Sequence, residues 1–224
     1  MLSKDDEELH AQIIKELAWD PSVGHEEIAV AVRDGVVTLS GSVESLAERS
    51  AAVRAVERIQ GVRAIANDLV VRLPALSERT DTDIAHAAAN AIAWNSKIPA
   101  NQVKARVEDG WVYLEGSVDW HFQRVAAEKS VKNLWGVKGV TNLITVSDGV
   151  SASRVKGKIE DAIKRFAEED ARRITVEVAG DGVILRGQVR TWIERQQAEN
   201  AAWNAGVSRV DNKIEVNPVL SPAL

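Results

Sequence analysis

The chain contains no cysteine. Disulfides and thiolate metal sites are therefore excluded, and the usual sequence clue to the redox compartment is missing. No window holds the roughly 20 consecutive apolar residues that a membrane-spanning helix needs, so no transmembrane segment is expected. The opening stretch, Met1 to Glu8, is acidic and lacks an apolar centre. No secretory signal is visible there, which gives a cytoplasmic expectation, or a periplasmic one for a processed form. An excess of positive charge is absent too. The net charge is −5, divided as −5 over residues 1–73, −1 over 74–148 and +1 over 149–224. General nucleic-acid binding relies on a basic surface to neutralise phosphates, so no nucleic-acid partner is expected.

Catalytic signatures are equally scarce. There is no P-loop and no Gly-x-Ser-x-Gly pattern. His10, His25, His86 and His121 lack paired-ligand spacing and read as surface histidines. Ser42 and Ser117 follow glycines in a nucleophile-like way, but no base recurs beside them and Gln188 takes the third equivalent place. The expectation is no enzyme, no cofactor and no metal site.

What the chain does have is one phrase written three times. It runs from Ile28 to Val43, from Val103 to Val118 and from Ile174 to Val189, and its glycines Gly41, Gly116 and Gly187 lie 75 and 71 residues apart. Such a period exceeds the roughly 20–50 residues of a solenoid unit and suits a small domain. The expected modules are residues 1–73, 78–147 and 152–217, with a tail at 218–224.

Each copy opens with an amphipathic helix: Leu9, Ile13 and Leu17 in the first, Ile84, Ala88 and Ile92 in the second, Val155, Ile159 and Ile163 in the third. Strict alternation follows, as in Ile28, Val30 and Val32, which predicts a strand with one buried face. Asp34-Gly35 and Asp109-Gly110 predict type I′ hairpins, because both residues tolerate positive φ. The return strands bury Val37 and Leu39, Val112 and Leu114, Val183 and Leu185. Gly41, Gly116 and Gly187 share that inward parity, which predicts a helix crossing too close for a Cβ. A second helix runs over about residues 45–60, 119–135 and 191–205, stopped by Gly61, Gly136 and Gly206. A last strand closes each copy. The fold class is therefore α/β of the α+β type: three tandem α-β-β-α-β modules, each a three-stranded mixed sheet with both helices on one face.

The inner asparagines Asn67, Asn142 and Asn212 must find hydrogen-bond partners, and backbone capping outweighs a ligand role. The other sheet face is bare and differs between copies, so some faces are expected to pack on a neighbouring copy or another chain. Trp19 and Trp94, matched at the ends of the first helices, are expected to pack in the core or between modules. The second copy alone places aromatics on its open face. Lys104, Arg106, Trp111 and Tyr113 form the candidate binding patch. Aromatic plus basic suits a lipid headgroup interface and a protein interface alike; with no sustained basic amphipathic helix, the protein interface is preferred. The cations from Arg154 to Arg173 alternate with acids and read as a solvated face.

The phrase Val-x-x-Asp-Gly-x-Val-x-Leu-x-Gly-x-Val, then a helix and Gly-Val-x-x-Val-x-Asn-x-Ile-x-Val, resembles the BON domain, in its OsmY-like form. The second copy carries it in full, from Val107, Asp109, Gly110 and Gly116 to Gly136, Asn142 and Val146. The first nearly matches; the third departs at its hairpin and recovers from Gly187 to Asn212. The resemblance implies an interaction module without catalysis, associated with osmotic stress, the envelope and anionic phospholipid headgroups. It implies attachment to anionic phospholipid or an envelope partner; the bare sheet faces support the alternative, a self-associating scaffold that joins chains into a homo-oligomer. Some relatives are potassium-binding; no carboxylate cluster in this sequence predicts such a site.

Overall fold

The computed structural model describes residues 4–75, 79–147, 174–179 and 182–217. The first copy runs α1 (Lys4–Trp19), a 3-10 turn (His25–Glu27), β1 (Ile28–Arg33), β2 (Val36–Val43), α2 (Leu46–Glu57) and β3 (Ala64–Val71). The second runs α3 (Asp81–Ala93), β4 (Val103–Glu108), β5 (Trp111–Val118), α4 (His121–Lys132), then β6 (Gly139–Asn142) and β7 (Thr145–Val146). The third supplies β8 (Ile174–Ala179), β9 (Gly182–Val189), α5 (Trp192–Asn204) and β10 (Arg209–Val216). Its expected first helix, the basic segment around it and the 218–224 tail lie outside the described residues.

The predicted topology holds in every sheet. The hairpin strands pair antiparallel, Ile28 opposite Gly41, Val103 opposite Gly116 and Ile174 opposite Gly187. The last strand pairs parallel to the middle one through a helical crossover. In the second copy that strand is interrupted at Leu143 and Ile144 with no slip, because Trp111 faces Gly139 and Ser117 faces Thr145 at one constant offset.

The hairpins turn as the Asp-Gly pairs dictate. Asp34 and Gly35 have φ of 52° and 73°, and Asp109 and Gly110 have 52° and 79°. Their amides are then claimed by an acid from the first helix. The Asp6 carboxylate accepts from Asp34 N and Gly35 N at 3.0 Å each, and Asp81 accepts from Asp109 N and Gly110 N at 2.8 Å each. Asp6 is buried there. These contacts pin helix to hairpin, a role that a carboxylate in a first helical turn does not announce.

The inward glycines need a different explanation from the one their parity suggests. The atoms nearest to where a Cβ would stand on Gly41 or Gly116 are backbone atoms of Glu27 and Ile28, or of Gln102 and Val103, and not atoms of a crossing α-helix. The φ angles of the two glycines are +117° and +137°, and an added Cβ would lie 2.0 Å from the carbonyl oxygen of Glu27 or Gln102, on the chain just before the partner strand. Gly187 has φ of +139°. The backbone conformation and the neighbouring strand, not helix packing, exclude a side chain.

Each sheet packs its inner face on its helices. Leu9, Ile13, Leu17, Val37, Leu39 and Val56 centre the first core, Ile84, Val112, Leu114 and Val131 the second, and Val183, Leu185 and Ala202 the third. Ala52, Ala127 and Ala198 are buried at matched points of the second helices and let them lie close to the strands.

The copies join through the first residue of each second helix. Leu46 enters the core of the second copy, and Trp192 packs against the core of the first. His121 stacks on the Trp203 ring of the third, centroids 4.1 Å apart and planes 9° from parallel. Beside it, an added Cβ on Gly206 would lie 2.9 Å from the Trp120 ring. First to second, second to third and third to first, the same helix start inserts into the next module and the chain closes on itself. This is the logic of a head-to-tail ring built within one polypeptide. Sheet faces were expected to pack on a neighbouring copy or on another chain; between the copies, the described junctions use helix starts instead. His121 is likewise no surface histidine. Trp19 and Trp94, expected inside, are 82% and 90% exposed.

Candidate functional site

Outward parity on β4, β5 and β6 assembles the open face of the second copy. Register sets Arg106 opposite Tyr113, Glu108 opposite Trp111 and Lys104 opposite Glu115. On the other side Trp111 lies beside Gly139 and Tyr113 beside Thr141. All four predicted patch residues thus share one surface, and two aromatics stand side by side on the central strand.

The aromatics are held, not merely exposed. Trp111 Nε1 donates to Thr141 Oγ1 at 2.8 Å, and its ring lies over Gly139, where any Cβ would come within 2.5 Å of ring carbons. The Arg106 guanidinium carbon sits 4.0 Å from the Tyr113 ring centroid, a cation–π contact, while Arg106 Nη1 bonds Glu108 Oε2 at 2.8 Å. Trp111 remains 37% exposed, and Leu143 beyond it 54%.

Sequence reasoning missed Glu108, Glu115, Gly139 and Thr141. Glu108 lies two residues beyond Arg106 on the same strand face, so alternation alone could have found it. The acids matter: two cations face two carboxylates, and the patch has no net charge.

The inner asparagines form the opposite kind of site, an internal clamp. Asn142 Nδ2 donates to Arg124 O and Glu128 Oε2, each at 3.1 Å, and its Oδ1 accepts from Ile144 N at 3.2 Å. Asn212 repeats this with Arg195 O at 3.3 Å, Glu199 Oε2 at 3.0 Å and Ile214 N at 3.1 Å. Arg124 and Arg195 answer by donating to the asparagine carbonyls at 3.4 and 2.9 Å. In the first copy Arg49 donates to Asn67 O at 3.5 Å and Asn67 Oδ1 accepts from Leu69 N at 3.3 Å, but Val53 stands where the other copies have glutamate. The arginines were legible, since Arg49, Arg124 and Arg195 recur with the period of the repeat.

Among the described residues no group of three or more His, Asp or Glu is arranged to hold a metal ion, and no helix is long and apolar enough to cross a membrane. A strand–turn–strand phrase, an asparagine clamp and a crossover helix, each repeated in order, are the features that family comparison can weigh. The BON domain model matches residues 5–72, 80–148 and 151–218. The chain belongs to the BON domain family. Its BON copies are also similar to osmotically-inducible protein Y of Escherichia coli strain K12, with 31% identity over 142 residues, 62% of this chain and 71% of that one. Among solved structures, CdsD, a structural protein of the type III secretion system of Chlamydia trachomatis, aligns over 94% of this chain and 92% of its own at 14% identity, with a TM-score of 0.25. A structure of the CdsD C-terminal domain covers 94% and 98% at 13% identity, also with a TM-score of 0.25. Scores this low carry no argument about the fold or function of the BON chain.

Proposed function

We propose that this BON protein is a non-enzymatic binding protein of the osmotic or envelope stress response, and that it self-associates through the open face of its second copy. The relationship to osmotically-inducible protein Y supports the stress setting. The neutral charge of the aromatic face supports the mode. Attraction to an anionic bilayer grows by about 1 kcal/mol for each uncompensated Lys or Arg near the surface, and this face has none to spare. A two-fold contact instead requires a surface complementary to itself, and two cations and two carboxylates around a paired aromatic centre meet that requirement.

The test joins light scattering with liposome sedimentation, using the parent chain and a Trp111→Ser, Tyr113→Ser double variant. Self-association predicts a concentration-dependent dimer for the parent and a monomer for the variant, with vesicle sedimentation the same for both chains. A monomeric parent whose salt-sensitive vesicle sedimentation is lost in the double variant would instead establish headgroup binding at this face.

A further inference from the structure

The helix side of the molecule holds a second feature, on elements separate from the aromatic face. Where the second helices converge, α2, the end of α4 and residues Ile193 to Asn200 of α5 line a crevice of about 540 Å³. Its walls carry Arg49, Arg54 and Glu57 from α2, Lys132 from α4, and Gln196 and Asn200 from α5. All three copies contribute, so the crevice exists only while the ring is closed.

The cations that line the crevice outnumber its acid. Among the described residues no ion pair holds Arg49, Arg54 or Lys132. Arg49 is the most telling. Its equivalent in the third copy, Arg195, satisfies Nε with Ile214 O at 3.0 Å and Nη2 with Asn212 O at 2.9 Å. Arg49 reaches Asn67 O at only 3.5 Å, and its Nε is buried without a partner. Burial, with Arg54 and Lys129 nearby, lowers the Lys132 pKa against the pull of Glu128. Burial likewise raises the pKa of Glu57, the acid that lines the crevice, against the pull of Arg54. A buried guanidinium donor left empty costs stability unless something occupies it.

We infer that this crevice is an anion site, and that its ligand carries a phosphoryl group, on a soluble phosphate compound or a lipid headgroup. Three cations approaching from two helices suit an anion with several oxygens, which can accept from a guanidinium fork and an ammonium together. The amides of Gln196 and Asn200 add donors on the third side.

Calorimetric titration of the full chain with sodium pyrophosphate tests the soluble source, and sedimentation with phosphatidylcholine vesicles containing phosphatidic acid tests the headgroup. Saturable binding is expected in one arm and identifies the source. Arg49→Gln, Arg54→Gln and Lys132→Gln should each weaken it by about tenfold or more, the value of one charge-assisted hydrogen bond. Lys132→Arg should retain it, and unchanged circular dichroism would show that the variants fold. Trp111→Ser with Tyr113→Ser should leave the affinity unaltered, which separates this site from the aromatic face. No binding in either arm, or binding that the glutamine variants leave intact, would overturn the proposal.

Discussion

The outward faces of the second and third copies are laid on nearly the same backbone and carry opposite kinds of surface. In the second, Trp111 and Tyr113 stand on the central strand, braced by Thr141, Gly139 and Arg106. In the third, Gly182 and Ile184 occupy those positions, and the face is laced by Arg186–Glu177 and Lys213–Asp211 ion pairs, each at 3.1 Å. The first copy falls between, with Ala29, Ala31, Val36 and Thr38 outward. Ion pairs already matched within one chain offer little to a partner, since exposed pairs contribute only tenths of a kcal/mol. Exposed aromatics offer much more. The lesson is a division of labour: inner faces and helix starts repeat because they build the ring, and outer faces diverge because the ring leaves them free.

If so, changes to the shared framework should damage any copy, and changes to an outer face should matter in one. The largest effect is expected at the strand glycines. Gly116→Val meets both a forbidden φ and the Gln102 carbonyl, and should cost about 3 kcal/mol, read from the denaturation midpoint. Gly41→Val should do comparable harm to the first copy, for the same reason. A tolerated valine at either place would refute the backbone explanation.

The asparagine clamp comes next. Asn142→Ala and Asn212→Ala should each cost about 1–2 kcal/mol, because each strands a glutamate and a helix carbonyl. Asn67→Ala should cost less, since Val53 removes one of the partners. Equal losses in all three copies would mean that the glutamates contribute nothing.

A pH-dependent effect separates the junctions. Burial first, then Arg124, lower the His121 pKa from 6.5 to about 4, against Glu199 and Glu128. The docked imidazole is thus favoured neutral. Its contribution to the junction of the second and third copies is fully present above pH 6.5 and is lost as pH falls from there through about 4. The Leu46 and Trp192 junctions have no titrating group at that position. Small-angle scattering should show the chain loosening in this window, and His121→Leu should remove the transition. Loosening that survives the substitution would place the acid response elsewhere. Smallest of all, Glu177→Gln on the third face should change stability by about half a kcal/mol or less and leave the assembly state alone.

Much of this was legible. Period-2 alternation and the Asp-Gly turns located every described hairpin, and the inward parity of Asn142 and Asn212 announced their internal bonds. The reasons for misses are physical. Parity places Gly116 inward but says nothing of its φ, so its true neighbour, a carbonyl across the hairpin, was hidden. Trp19 and Trp94 are large and apolar, yet hydrophobicity alone does not bury a residue that ends a helix beyond its core. The ring was invisible because Leu46, His121 and Trp192 share a position and not a chemistry. In the candidate site, the four patch residues came from alternation; their neutralisation by Glu108 and Glu115 required cross-strand pairing.

The absence of cysteine makes the central claim directly measurable. A single cysteine introduced at Tyr113 is the only thiol in the chain, and a two-fold contact across the aromatic face brings it against its counterpart. Thr38→Cys and Ile184→Cys place the same probe at the matched positions of the other copies. Under mild oxidation, Tyr113→Cys should form a covalent dimer quickly while the other two stay monomeric. Equal rates at all three positions, or faster coupling at Thr38→Cys or Ile184→Cys, would contradict the assignment of the second copy's open face as the surface that joins chains.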